Sequence, residues 1–453
     1  MAKALIDEDF LDTMFQSTEE LETYWATMLQ DFEDHWLRDS PELWCQAIPI
    51  VLWGDEGSLN RSSWMIMSWT PDLSVFRTDS RASRYVVYCL LASRYYIEGS
   101  SVNQTLQSLN AAVVDDLNNA MMNGVCGSSG ERYYFVPVAF RGDLKYLKQA
   151  FNLKRNSSSD EVCFKCMASN GRSSVHLVYT DTSLQAGWRQ TVDSAPLPWT
   201  EAPSFCRLHG FDLKMIQADF MHTFHLGCAR DLIGSCIKLM TRKRGIFSGA
   251  TISKRLNQLF TGCKLWARQH GKQVGIKRLR QKSLQWSEYP EFKGKAADAA
   301  VFLPYLLSEL QDNPIDGPYS GLLGVLWAAE QLSHCIMSSG IFLSLEEKST
   351  IETVGRLFLD GYGVLASIAV QRREKYFKMR PKFHVLQHMI EDDRPSRRGP
   401  GWDHTFMDED HVKACIRMLS KVSHRTAEKN LLLRNCIQVK QTVLRALQGV
   451  KSP

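Results

Sequence analysis

The sequence predicts a mixed α/β protein: a sheet-forming first half followed by a large all-α part. Three observations predict it. Short runs rich in β-branched and aromatic residues cluster early, at 47–54, 63–69, 84–92 and again from Tyr134 to Phe140, each the length of a buried strand. From 214 onward apolar residues recur at three- and four-residue spacing, the period of helices with one packed face. Composition is ordinary for a globular chain, 44% hydrophobic and 23% charged over 453 residues, and supports about one to three domains.

The elements follow in order. Residues 1–46 carry twelve acidic and two basic side chains, and residues 5–45 suggest two or three short acidic helices. Three strands come next, the first ending at Trp53-Gly54-Asp55. A helix is expected over 102–123, with Leu106, Leu109, Val113, Leu117 and Met121 on one face and Gly124 as its stop. A fourth strand ends at Gly142-Asp143. Helices are then expected at 214–240, 251–269, 296–312, 318–338, 344–376, 377–390, 405–422 and 424–448, with Ser344 and Glu347 forming a capping box. Residues 154–160 and 391–401 are rich in turn formers. The expected divisions are 1–46 (acidic and helical), 47–200 (sheet), 201–376 (all-α) and 377–453 (helical). No internal repeat and no low-complexity tract interrupts them.

Three acids occupy distinctive settings. Asp55 and Asp143 end apolar runs, and Glu409 opens a late helix in Met407-Asp408-Glu409-Asp410. Two aspartates at strand ends and a distant glutamate suit a pair of hard divalent cations, which take carboxylate oxygens. Asp143 equally suits the N-cap of the helix that follows it. Asp408 and Asp410 compete with Glu409 for the third position. Between these acids lie Cys163-x-x-Cys166 and, one helical turn apart, His384 and His388. Two thiols and two imidazoles suit a tetrahedral structural zinc, and the i, i+4 spacing puts both histidines on one helix face. Buried unliganded thiols and core histidines are the alternative. Cys206, His209, His222 and His225 form a second set with ligand-like spacing. Three strands, a helix and a fourth strand, with acids ending the first and fourth, match the order of an RNase H-like fold, here split by a mainly helical insertion.

These blocks resemble the DDE transposases of the CACTA-type group and, more distantly, the catalytic core of the V(D)J recombinase. Gly54-Asp55 is similar to the first block, and Gly142-Asp143 leading into Cys163-x-x-Cys166 to the second. Asp219-Phe220-Met221-His222, continuing to Leu226-Gly227, looks like the D-x-x-H block. Lys382-Phe383-His384, His388, Gly399-Pro400, Trp402 and Glu409 look like the last. The resemblance implies DNA strand cleavage and strand transfer at Asp55, Asp143 and Glu409 with Mg²⁺ or Mn²⁺, a structural Zn²⁺, duplex DNA as partner, a homo-oligomer, no membrane, and the nucleus. Two other readings stand beside it: a non-cleaving descendant that binds DNA or protein, and a helical interaction protein whose acids are coincidental. From residues alone, Asp219 reads as a helix cap with His222 packed nearby.

Charge is strongly segregated. Residues 242–282 hold twelve Lys/Arg and no acid, and such a run repels itself unless a polyanion neutralises it. Interleaved Phe247, Leu256, Phe260, Leu265 and Trp266 make it a packed helical segment. Arg242, Lys243, Arg244, Lys254, Arg255, Lys277, Arg278 and Arg280 are the expected DNA contacts. A solvated basic face, or an import signal at 277–282, is the alternative. Twelve scattered cysteines read as reduced thiols. With no apolar leader and no run of 18 apolar residues, the expectation is cytosol or nucleus.

Overall fold

The computed structural model describes residues 2–7, 10–59, 62–98, 102–192, 194–243 and 245–447. Its sheet is built from β1 (Ala47–Leu59), β2 (Ser62–Pro71) and β3 (Tyr85–Leu91), which form an antiparallel meander. A small ladder, β4 (Ile97–Glu98) with β5 (Val102–Asn103), leads on to β6 (Val125–Cys126) and the long β7 (Arg132–Gly142). β7 pairs parallel with β1, and β8 (Ile216–Ala218) pairs parallel with the end of β7. The order is β3-β2-β1-β7, with β6 at the start of β7 and β8 at its end. All four expected strands form, but β1 runs on past Asp55 because residues 55–59 pair with β2. β8 falls inside a stretch expected to be helical; three residues are too few for a period-2 signal to show.

The helices are α1 (Ala2–Asp7), α2 (Thr18–Met28), α3 (Gln104–Met122), α4 (Leu144–Ala150), α5 (Ala229–Met240), α6 (Ile252–Gln269), α7 (Ala296–Asp312), α8 (Leu322–Ser338), α9 (Leu345–Gln371), α10 (Pro381–Ile390), α11 (Phe406–Leu419) and α12 (Ala427–Leu447). A π-helical segment, Met221–Cys228, runs straight into α5. Gly124, at φ +65°, follows the end of α3, and the Ser344–Glu347 capping box opens α9.

Three cores result. Alternate residues of β1–β3 face opposite ways, as a pleated strand requires. Leu52, Met65 and Met67 join one core with α3 and the N-terminal helices, whereas Trp53, Ile66 and Val86 meet α11 and α12. The N-terminal residues pack on the sheet: Leu21, Tyr24, Trp25 and Met28 are buried against it. Trp25 Nε1 donates to Ala47 O (2.8 Å), at the end of β1 away from Asp55. The third core is the helical body from Phe220 to Ile390. α9 is the one helix among the described residues long and apolar enough to cross a membrane, with mean hydropathy 1.3 over its most apolar window. Its Ile351, Val354, Phe358, Leu359 and Tyr362 are nevertheless buried in the helical body.

Candidate active site and metal centre

The parallel register of β1 and β7 ends at the pair Gly54–Gly142, so Asp55 and Asp143 stand side by side one residue further on. Both glycines are needed at that pair, because a Cβ on either would overlap the Tyr146 ring that lies across them. Tyr146 also fixes Asp143, whose Oδ1 accepts its backbone N–H (2.6 Å) and caps α4. Asp143 therefore does serve as the N-cap.

Glu409 reaches these aspartates through the packing of α11 on β1. Asp55 shares a strand face with Trp53 and Gly57. A Cβ on Gly57 would come within 2.6–2.7 Å of Ile416 and Val412, so α11 lies directly on the backbone there. Glu409 is on the same helix stripe, three residues before Val412. Its neighbours are spent elsewhere. Asp408 is buried and paired with Arg84 (2.9 Å) and Arg141 (3.0 Å), exposed Asp410 pairs with Lys413 (3.3 Å), and Glu409 shares that lysine through Oε2 (2.9 Å) while its Oε1 is turned to His222. Of the three consecutive acids, Glu409 is the one that faces the aspartates.

At the centre is His222. Its Nδ1 lies 2.5 Å from Asp219 Oδ2 and its Nε2 lies 3.6 Å from Glu409 Oε1. Asp219 accepts from the backbone N–H groups of Met221, His222 and Thr405 and from the Thr405 hydroxyl. It thus caps the π-helical segment and ties it to the turn that starts α11. Burial would lower the His222 pKa, but the hydrogen bond and charge of Asp219, with Asp55 and Asp143, raise it to about 9. Burial, with Asp143 next, raises Asp55 to about 7. The charges of Asp143 and Glu409 both raise Asp55, and His222 opposes them. A cleft of about 450 Å³ opens beside them, lined by Asp143, His222, Lys145, Lys378, Arg380 and Lys382 among others.

Cys163, Cys166, His384 and His388 come together with all four ligand atoms within 4.8 Å of one another. Cys166 Sγ lies 3.2 Å from His384 Nε2 and 3.4 Å from His388 Nε2, and the two Nε2 atoms are 3.1 Å apart. These are the edges of a small tetrahedron of two sulfurs and two nitrogens, and the set can hold a metal ion such as zinc. The sulfurs accept backbone N–H groups two residues on, from Lys165 (3.3 Å) and Ala168 (3.4 Å), which suits thiolates. Burial pushes the Cys163 thiol up, but Cys166 and the two imidazoles outweigh it and hold it well below the ordinary range. Buried Arg155 donates to the Cys163, Phe164 and Pro196 carbonyls and fixes the knuckle. Among the described residues no other His, Cys, Asp or Glu group is this compact. The acids at His222 stand further apart, and the second cysteine–histidine set does not assemble. His222 is taken by Asp219, and His225 Nε2 faces Ser333 Oγ (3.1 Å).

The basic segment divides. Arg242, Lys243, Lys254, Lys277, Arg278 and Arg280 are exposed, and none makes an ion pair among the described residues. Arg244 lies outside the described residues. Arg255 must be withdrawn from the DNA contacts: it is 8% exposed, and its guanidinium donates to Thr241 O and Gly249 O (both 2.6 Å).

Sequence reasoning gave no role to two kinds of residue. Arg84 and Arg141 hold Asp408, and Arg398 bridges Asp72 (2.6 Å) and Asp403 (2.9 Å) inside a stretch read only as a loop. Lys382 donates to the carbonyls of His222 (2.7 Å) and Leu226 (3.2 Å), linking α10 to the π-helical segment. Its place two residues before His384 was the available signal.

No family model matches the chain, and no curated protein matches it.

Proposed function

We propose that the chain is a transposase-like, divalent-metal-dependent DNA strand-cleaving and strand-transferring protein, built on an RNase H-like domain split by a helical insertion and acting in the nucleus. The observation that carries this reading is that Asp55 and Asp143 end neighbouring strands, that the charges of Asp143 and Glu409 both act on Asp55, and that Asp143 and His222 line the adjoining cleft. The donor set suits the cation. Two half-buried aspartates and a glutamate offer only hard oxygens, and Asp55 is raised to about 7 because burial and Asp143 make a second negative charge costly. Asp55, Asp143 and Glu409 would hold Mg²⁺ or Mn²⁺, which when bound activates a water or a DNA 3′-hydroxyl and stabilises the leaving oxygen.

The remaining roles fall to this chain's own groups. Asp219 orients His222, and the imidazolium keeps its proton next to the carboxylates. Lys378 and Lys382 on the cleft wall attract a phosphodiester, while Lys145 and Arg380 there are paired with Glu56 and with Asp231 and Glu291. The Cys163–Cys166–His384–His388 set serves as a structural zinc centre, tying the knuckle to the helix that carries Lys382. A homo-oligomer is part of this reading, since strand transfer joins two DNA ends.

One observation favours the second reading, a non-cleaving DNA-binding descendant: His222 already places a cation among the acids. Incubation of the full chain with supercoiled duplex DNA and Mg²⁺ or Mn²⁺ separates the two. The first reading expects nicking that disappears in Asp55→Asn, Asp143→Asn and Glu409→Gln. DNA binding without nicking, with melting temperature indifferent to either cation, would leave the second.

A further inference from the structure

A second concave site lies in the helical body, away from the acids. An open niche of about 460 Å³ is lined by Arg278, Arg280, Lys282 and Lys293, with Ser283 among its walls and no acidic side chain. None of these four cations makes an ion pair or a side-chain hydrogen bond among the described residues. Glu291, two residues from Lys293, is held by Arg380 (2.7 Å) and Arg230 (3.3 Å). Four cations around one hollow repel one another, so the niche is electrostatically incomplete without an anion.

Its frame is rigid. Leu279 and Phe292 are buried in the helical core, and burying Leu279 turns its neighbours Arg278 and Arg280 outward, both of them exposed. Lys293 N donates to Ser283 O (3.1 Å), and Phe292 N to Arg230 O (3.0 Å). Buried Asp298 accepts the backbone N–H groups of Gly275 (2.6 Å), Ile276 (3.2 Å) and Lys295 (3.0 Å). A linear import signal at 277–282 would need that peptide free, and Leu279 anchors it. Cations carried on an anchored backbone around a hollow suit phosphate better than cations on a free tail do.

We propose that this niche is a phosphate-binding site that seats the backbone of duplex DNA. The segment Glu291–Gly294 joins it to the acidic cleft: Phe292, Lys293 and Gly294 line the niche, and Glu291 holds Arg380, which lines the cleft. One strand of phosphates can follow that path. The choice of DNA as occupant rests on the function proposed above; the phosphate site does not.

The test measures binding of a fluorescent duplex to the full chain over a salt series without divalent metal, with tripolyphosphate as competitor. Wild type should bind more weakly as salt rises and be competed by tripolyphosphate. Arg278→Ala/Arg280→Ala/Lys293→Ala should lose at least about tenfold in affinity, and its log–log salt slope should shrink by about 2–3, at roughly 0.9 per phosphate contact. Wild-type affinity and slope in a triple variant that melts normally would overturn the site. Should the triple variant not fold, exposed Lys293→Glu alone should lower the slope by about 1; an unchanged slope would overturn the site equally. Tripolyphosphate binding that the variant loses, with no duplex binding by wild type, would keep the phosphate site and remove both DNA and the transposase-like reading. Duplex binding through the niche without nicking would remove only the catalysis.

Discussion

Three consecutive acids, Asp408, Glu409 and Asp410, show how one helical turn assigns opposite work to like residues. Asp408 points into the protein between Arg84 and Arg141, Glu409 lies between His222 and Lys413, and exposed Asp410 meets only Lys413. Substitutions should separate them. Asp408→Asn strands two buried guanidinium groups, and breaking such a buried pair costs about 3–5 kcal/mol. Urea denaturation should show that loss. Glu409→Gln should cost under about 1 kcal/mol, as expected for a partly exposed side chain, while abolishing any dependence of melting temperature on Mg²⁺. Equal destabilisation by the two would mean that Glu409 is a structural acid as well.

At the scale of elements, one connected set of contacts runs from the Cys163–Cys166–His384–His388 set to the acids. His384 and His388 fix α10, Lys382 of α10 holds the carbonyls of His222 and Leu226, and Asp219 joins that segment to Thr405 at the start of α11. A Cβ on Gly227 would come within 2.5 Å of Lys382 Cδ, so the π-helical segment is fitted to that lysine. Zinc extraction, or Cys163→Ser, should therefore speed hydrogen exchange in 221–228 although no ligand lies there. Lys382→Met should do the same while about one equivalent of zinc stays bound. Unchanged exchange in both would show that the two sites are energetically independent. This linkage was only half legible in the sequence. The C-x-x-C spacing and the i, i+4 histidines point to a single face each, and the four ligands do assemble. The strands at 47–54 and 134–142 were legible from their apolar runs, and the late helices from their period. The π-helical geometry, the three-residue β8 and the partners of Lys382 depend on contacts between distant segments, which local periodicity does not carry. Arg255 failed for the same reason: charge marks a surface residue only until the fold supplies carbonyls that bury it.

Over the whole molecule, buried titrating groups set a pH window. Burial, the largest cause in each case, lowers His35, His225, His404 and His411 to about 4. In the unfolded chain each would titrate near about 6.5. The unfolded state therefore takes up these protons first as pH falls. The stability tied to the neutral imidazoles is fully present above about 6.5 and is lost between there and about 4, at up to about 1.4 kcal/mol per pH unit for each histidine. Asp231 acts in the opposite sense. Burial raises it to about 7 against the pull of Arg380, so the folded state binds its proton first and gains on acidification from about 7 down to the unfolded value near 4. Asp55, which burial likewise raises to about 7, gains in the same way as Asp231, and four groups against two still leave a net loss below about 6.5. Urea midpoints measured from pH 7.5 to pH 5 should fall steadily below about 6.5, with net proton uptake on unfolding. A flat profile across that range would mean that these histidines already bind protons in the folded state, and that the packing of His411 against Trp53 and of His35 against Trp25 does not exclude charge.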